Sequence, residues 1–234
     1  MVTRLTFTLF RDCTIEQLRT SIEEAIATFG GTVTWNTADE HLGTRMATHH
    51  GDAVHTVFIA EHGTYGLLRN VGEGLDIPWM ELRIQEGSHW DYSLMKGSED
   101  VCSYSTFPEY FDTAPAFFRM FKRNARRFSK TWGVPLDRID RYHLEWNPVG
   151  SESFATRITN RILGLFSQRE RDDADGLLMD DDLEFARKGK AYPSDESEYG
   201  DFWQMLDFLR AIGGADPREH GTEHRIDLGR YGKY

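Results

Sequence analysis

IPWMELRIQ (77–85) and HWDYSLMKG (89–97) are two runs of strand-forming residues separated only by Glu86, Gly87 and Ser88, and nothing else in the 234-residue chain restricts its fold so tightly. Two such runs across a short Gly-containing loop form a β-hairpin. Register follows from the two-residue period of strand side chains. Only pairs whose residue numbers sum to an even value place Leu82 and Ile84 on the same face as Trp90, Tyr92 and Leu94. Pairing Ile84 with Trp90 meets that condition and sets Arg83 opposite Asp91, an opposite-charge pair on what the pattern reads as the wetter face.

The second strand also carries His89, Asp91 and Ser93, the side-chain types of a serine hydrolase. Strand geometry argues against a triad. Residues two apart lie about 6.6 Å from each other and residues four apart about 13 Å. Asp91 also occupies the middle position, where the mechanism needs the histidine. The set therefore reads as a polar, solvated strand face. Glu81, Arg83, His89 and Asp91, beside a histidine from the 41 to 62 region, remain the alternative site for a hydrolase or metal-dependent enzyme.

LTFTLF (5–10) alternates and predicts a strand, and a helix follows it. Thr14 and Gln17 make a T-x-x-Q capping box, Ile15, Leu18, Ile22, Ile26 and Phe29 form one apolar stripe, and Gly30-Gly31 supplies a left-handed stop. TVTW (32–35) predicts a strand, a polar stretch follows, and DAVHTVFIAE (52–61) predicts a strand with apolar residues on both faces, hence inside a sheet. TYGLLRNV (64–71) reads as the next strand. STFPEYF closes the sheet region and leads to a helix with the buried stripe Phe117, Phe121, Ala125, Phe128 and Trp132, ended by Gly133 and Pro135. Leu136, Ile139, Tyr142 or His143, and Trp146 continue as a short helix.

Composition narrows the chemistry. No run approaches the roughly 20 apolar residues of a membrane span, and the start, MVTRLTFTLFRD, is too short in apolar residues for a signal peptide, so no membrane association is expected. Cys13 and Cys102 alone make neither a disulfide framework nor a thiolate zinc site, and they fit a reducing cytoplasm. A net charge of −11 argues against nucleic acid as the partner and suits a basic protein.

The remaining motifs are weak. HGTEH (220–224) fits H-x-x-E-H, but Gly221 and the lack of apolar neighbours deny it the helix that zinc chemistry needs, and it reads as a polar tail. Asp173, Asp175 and Gly176 match part of a calcium loop, yet Arg171 stands at the leading ligand and Asp182 where a bidentate Glu belongs. His41, His49, His50, His55 and His62 are irregularly spaced, and GEG (72–74) lacks the rest of a dinucleotide fingerprint. No metal, no cofactor and no catalytic residue are expected. Arg119, Lys122, Arg123, Arg126, Arg127 and Lys130 form a basic helix face that either holds phosphate or an acidic partner or lies against the chain's own acidic loop at 170–184, the internal answer being preferred.

ELRIQEGSHWDYSL, STFPEYF, WGVPLDRIDRY and KAYPSDESEYGDFWQMLDFLRAIGG resemble segments of uncharacterised bacterial cytoplasmic proteins, some in the broad company of toxin-immunity proteins. The resemblance covers about half the chain and implies no functional residue. Taken together, the readings predict an α+β fold, with an antiparallel sheet and helices at 14–29, 114–132, 154–167 and 200–212. Residues 1–146 form the core, 147–212 a helical extension with an acidic loop, and 213–234 a polar, loosely docked tail. The expected function is non-enzymatic: an immunity- or inhibitor-type protein masking a basic partner through Asp172, Asp173, Asp175, Asp180, Asp181, Asp182 and Glu184.

Overall fold

The computed structural model describes residues 5–51, 53–59, 65–85, 89–108, 124–144, 146, 188–217 and 221–228. It is an α+β fold built on one eight-stranded antiparallel sheet. The strands are β1 (Leu5–Arg11), β2 (Thr32–Thr34), β3 (Thr44–His50), β4 (Val54–Ile59), β5 (Pro78–Gln85), β6 (His89–Lys96), β7 (Glu99–Ser105) and β8 (Thr222–Asp227). Their spatial order is β2-β8-β3-β4-β1-β5-β6-β7.

The hairpin register holds: Ile84 pairs with Trp90 and Arg83 with Asp91. Leu82, Ile84, Trp90, Tyr92 and Leu94 share one buried face, as the alternation requires. The opposite face is not wet. Glu81 and Asp91 are each 1% exposed and His89 is fully buried, which corrects the reading of a solvated strand.

Helix α1 (Ile15–Ala27) begins at the reciprocal Thr14–Gln17 capping box and closes before left-handed Gly30. It packs against α2 (Tyr65–Leu75), which falls where TYGLLRNV was expected to be a strand. Leu67, Leu68 and Val71 at helical spacing are all buried, and period-two alternation does not describe them. Gly72 is there for contact: a Cβ at that position would overlap the Trp79 indole, so the helix reaches β5 only through a glycine. These two helices, with Phe10, Met46, Val57, Trp79 and Ile226, form the core on one side of the sheet.

The other side is aromatic. Helix α3 (Ala125–Trp132) buries Ala125, Phe128 and Trp132 and stops at left-handed Gly133. Helix α4 (Gln204–Ala211) inserts Phe208, which stacks on Trp90 at 5.1 Å and on Tyr92 at 5.7 Å between ring centroids. Between them, a single 3-10 turn (Leu136–Arg138) and further turns replace the expected short helix, while Ile139, Tyr142, His143 and Trp146 all point inward.

Two strands escaped the sequence reading of their segments. β3 lies in the stretch read only as polar, and β8 lies in the expected tail, where it sits inside the sheet between β2 and β3. In TEHRID only Ile226 is strongly apolar, so the segment shows no hydrophobic period, yet His224, Arg225 and Ile226 are all buried. The expected helix at 154–167, the first half of the one at 114–132 and the 86–88 loop lie outside the described residues. No described helix is long and apolar enough to cross a membrane.

Candidate functional site

A cleft of about 360 Å³ opens on the aromatic side, lined by Asp137, Arg138, Tyr142, Tyr192, Ser194, Asp195, Asp207, Arg210 and Ala211. That volume is within the range of small-molecule sites. None of the cleft's lining residues was singled out as a site residue by the sequence pattern. Segments 137–142 and 192–210 are remote in sequence and meet because Tyr142 packs edge-on against Phe208 at 5.7 Å.

The cleft wall is held by two buried carboxylates. Asp195 accepts from the Tyr142 hydroxyl at 2.6 Å and from the Tyr192 backbone N–H at 2.9 Å. Asp207, on α4, accepts from the backbone N–H groups of Glu196 and Ser197 at 3.0 and 2.8 Å. One turn on, Arg210 donates to both Asp207 and Glu196 at 2.7 Å. Tyr192 donates to Asp140 at 2.7 Å, and the Arg141 guanidinium lies over its ring at 5.4 Å.

These contacts set the electrostatics. Burial raises the Asp195 carboxyl above the ordinary value, against the pull of the Tyr142 and Tyr192 donors. Tyr142 is held far above its ordinary value by burial and then by the bond to Asp195, so its hydroxyl acts as a donor and not as a nucleophile. The bond to Glu196 raises Arg210 further, which keeps it cationic. Chemically the arrangement pins the 190–201 loop to α4 and leaves a polar hollow with charges of both signs.

The hairpin residues do come together, though as an ionic cluster. Arg83 Nε donates to Asp91 Oδ1 at 2.6 Å, and its two terminal nitrogens reach Glu81 at 3.3 Å and Ser93 at 2.9 Å. Gln85 fills Asp91 Oδ2 at 2.8 Å. Donors this close make burial of two carboxylates tolerable. The Ser93 oxygen also accepts from Ser103 at 3.4 Å, which stabilises the hydroxyl oxygen instead of withdrawing its proton. Burial lowers His89 to about 4, and its ring meets Phe107 edge-on at 5.8 Å.

Histidines read as irregularly spaced also converge. His50 and His55 are cross-strand partners with Nδ1 atoms 3.1 Å apart, and Thr48 Oγ1 lies 2.8 Å from His224 Nε2. Of HGTEH, His224 joins this group from β8, and Gly221 lies beneath the His49 ring, while His220 lies outside the described residues. Among the described residues no group of three or more His, Cys, Asp or Glu side chains is arranged to hold a metal. On the basic helix face, Arg126, Arg127 and Lys130 are exposed. Arg119, Lys122, Arg123 and the acidic residues Asp172, Asp173, Asp175, Asp180, Asp181, Asp182 and Glu184 lie outside the described residues.

No family model matches the chain, and no curated protein or solved structure is significantly similar to it.

Proposed function

We propose that this chain is a non-enzymatic, acidic binding protein of immunity or inhibitor type that works in the cytoplasm by masking a basic protein partner. The observation that carries the reading is the loading of the cleft carboxylates. Asp195 and Asp207 each take donors on both oxygens from their own chain, so they serve as loop anchors and are poorly placed as general bases. The charge surplus of −11 is then available to steer a cationic surface. Glu198 and Asp201 lie on the pinned loop next to exposed Trp203, and the acidic run from Asp172 to Glu184 adds to the chain's negative charge. Pull-down from the native cytoplasm at low and high salt tests this. A basic protein retained at low salt and released at high salt supports it, and recovery of no partner at low salt counts against it.

A second reading draws on the buried Glu81, Arg83, His89 and Asp91 cluster, since two carboxylates beside a guanidinium are unusual in a sheet interior. It makes the protein a hydrolase or metal-dependent enzyme. Stoichiometric zinc, nickel or iron in the purified protein, lost on replacing His49 or His55, would establish it over the first.

A further inference from the structure

We infer that His224, Thr48, His50 and His55 form a one-way hydrogen-bond relay that keeps all three rings neutral and latches β8 onto the sheet, releasing it in acid. The argument starts from the two ends, which are backbone groups with no choice of role. The Asn36 N–H must donate, and it meets His224 Nδ1 at 2.9 Å. The Cys13 carbonyl must accept, and it meets His55 Nε2 at 3.0 Å. Both ends are set by left-handed residues, Asn36 itself and Asp12 just before Cys13.

Everything between then follows from one proton per neutral ring. His224 Nδ1 carries the lone pair, so Nε2–H donates to Thr48 Oγ1 at 2.8 Å. His55 Nε2 carries the proton, so His55 Nδ1 accepts from His50 Nδ1–H at 3.1 Å. His50 Nε2 is then an acceptor, and the Thr48 hydroxyl, already receiving from His224, donates to it over the longest link, 3.4 Å. Every donor meets one acceptor, in one direction, from β2's end through β8 and β3 to β4 and the start of α1.

An added proton has nowhere good to go. On His224 it lands at Nδ1 and faces the Asn36 N–H. On His55 it sets N–H against N–H at His50. His50 Nε2 resists least, because the Thr48 hydroxyl can turn away, so the chain opens at its middle.

The surroundings add to this resistance. Arg19 of α1 lies over Trp35 at 5.1 Å, and Trp35 meets His224 edge-on at 4.7 Å. Glu23, also on α1, holds the Trp35 indole N–H at 2.5 Å, His49 flanks from β3, and the Cys13 thiol is kept neutral by burial and by Asp12. Burial, then Arg19, then His50 lowers His224 to about 4, and burial with His55, Arg19 and His49 lowers His50. Opening at His50 leaves the His224 bonds in place; because His224 ties β8 to both Asn36 and Thr48, it is the later charging of His224 itself that loosens β8 from its neighbours.

Long-range proton–nitrogen correlation spectra of the intact protein, labelled with nitrogen-15 histidine at pH 7.5, test the relay. The expected tautomers are Nε2–H for His224 and His55 and Nδ1–H for His50. Nε2–H at His50, or an imidazolium at any of the three, overturns it. Thr48→Val is expected to leave His50 as Nδ1–H, because His55 Nδ1 still accepts from it, and a switch of His50 to Nε2–H overturns the assigned direction. Should that variant fail to fold, the wild-type tautomers decide alone. One equivalent of zinc is expected to leave the spectrum unaltered, whereas both Nδ1 signals moving to metal-bound positions overturns the relay in favour of a metal pair. For the latch, amide-exchange protection factors at pH 7.5 and 4.5 are expected to fall at least about tenfold more for Arg225 and Ile226 than for Trp90 and Tyr92. An equal fall in both places overturns it.

Discussion

The Arg83–Asp91 cluster and the His224–His55 relay occupy the same face of one sheet, on opposite sides of β1, and solve the same problem by different physics. Both bury polar groups. The first keeps full charges and compensates them with a guanidinium two residues along or directly across the hairpin. The second excludes charge and is satisfied by direction, from a backbone donor to a backbone acceptor. An ionic cluster tolerates acid until its carboxylates protonate, whereas a neutral imidazole chain is vulnerable as soon as its rings do.

That contrast can be broken by substitution. The largest effect is expected from Asp91→Ala, which strips Arg83 of its closest counter-charge in a buried setting and should cost about 3–5 kcal/mol by urea denaturation. A loss below about 1 kcal/mol would mean that the cluster is not stabilised by charge. Next is His224→Ala, which leaves the Asn36 N–H and the Thr48 hydroxyl to find new partners and should cost about 2–4 kcal/mol. Thr48→Val removes the middle of the relay with little change in shape and should cost about 1 kcal/mol. The smallest change belongs to Glu223→Gln, on the same pair of strands but in the half-exposed bridge to Arg45 at 2.7 Å, and should stay under about 1 kcal/mol.

Acid sharpens the same comparison. An unfolded histidine titrates near 6.5, and His224 in the fold near 4, so between these values the unfolded chain holds more protons and stability falls as pH falls. The contribution is complete above about pH 6.5 and is lost on approach to 4. His89, lowered to about 4 by burial beside the ionic cluster, acts in the same direction. The raised carboxyl of Asp195 acts oppositely, since its burial penalty disappears on protonation. Chemical denaturation across pH 7.5 to 4.5 should therefore show a shallower slope in His224→Ala than in the parent, with the His89 part remaining. Identical slopes would remove His224 from the acid response.

What could be read from the chain follows the range of the interactions. The Thr14–Gln17 box and the Arg83–Asp91 pair are fixed by neighbours a few residues away or by a hairpin's arithmetic, so pattern alone reaches them. The TYGLLRNV helix was missed because a four-residue apolar cluster with two nearby glycines satisfies either period weakly, and its choice is made by Trp79 docking at Gly72. β8 was missed for a deeper reason. Its polar residues are buried because Asn36 and Thr48, 188 and 176 positions away, complete their bonds. The cleft was invisible for the same reason: Asp195 and Tyr142 meet across 53 residues, and nothing local marks either as a partner.

The place of β8 between β2 and β3 governs when the sheet can be finished. Synthesis delivers β2 and β3 early, but they have no bonds to each other in the completed ladder, and the strand that joins them leaves the ribosome nearly 200 residues after β2. Until then β3 carries an open edge able to recruit a stranger's strand, so nascent chains, and any stop codon before 222, should be the forms of this protein that chaperones meet most often.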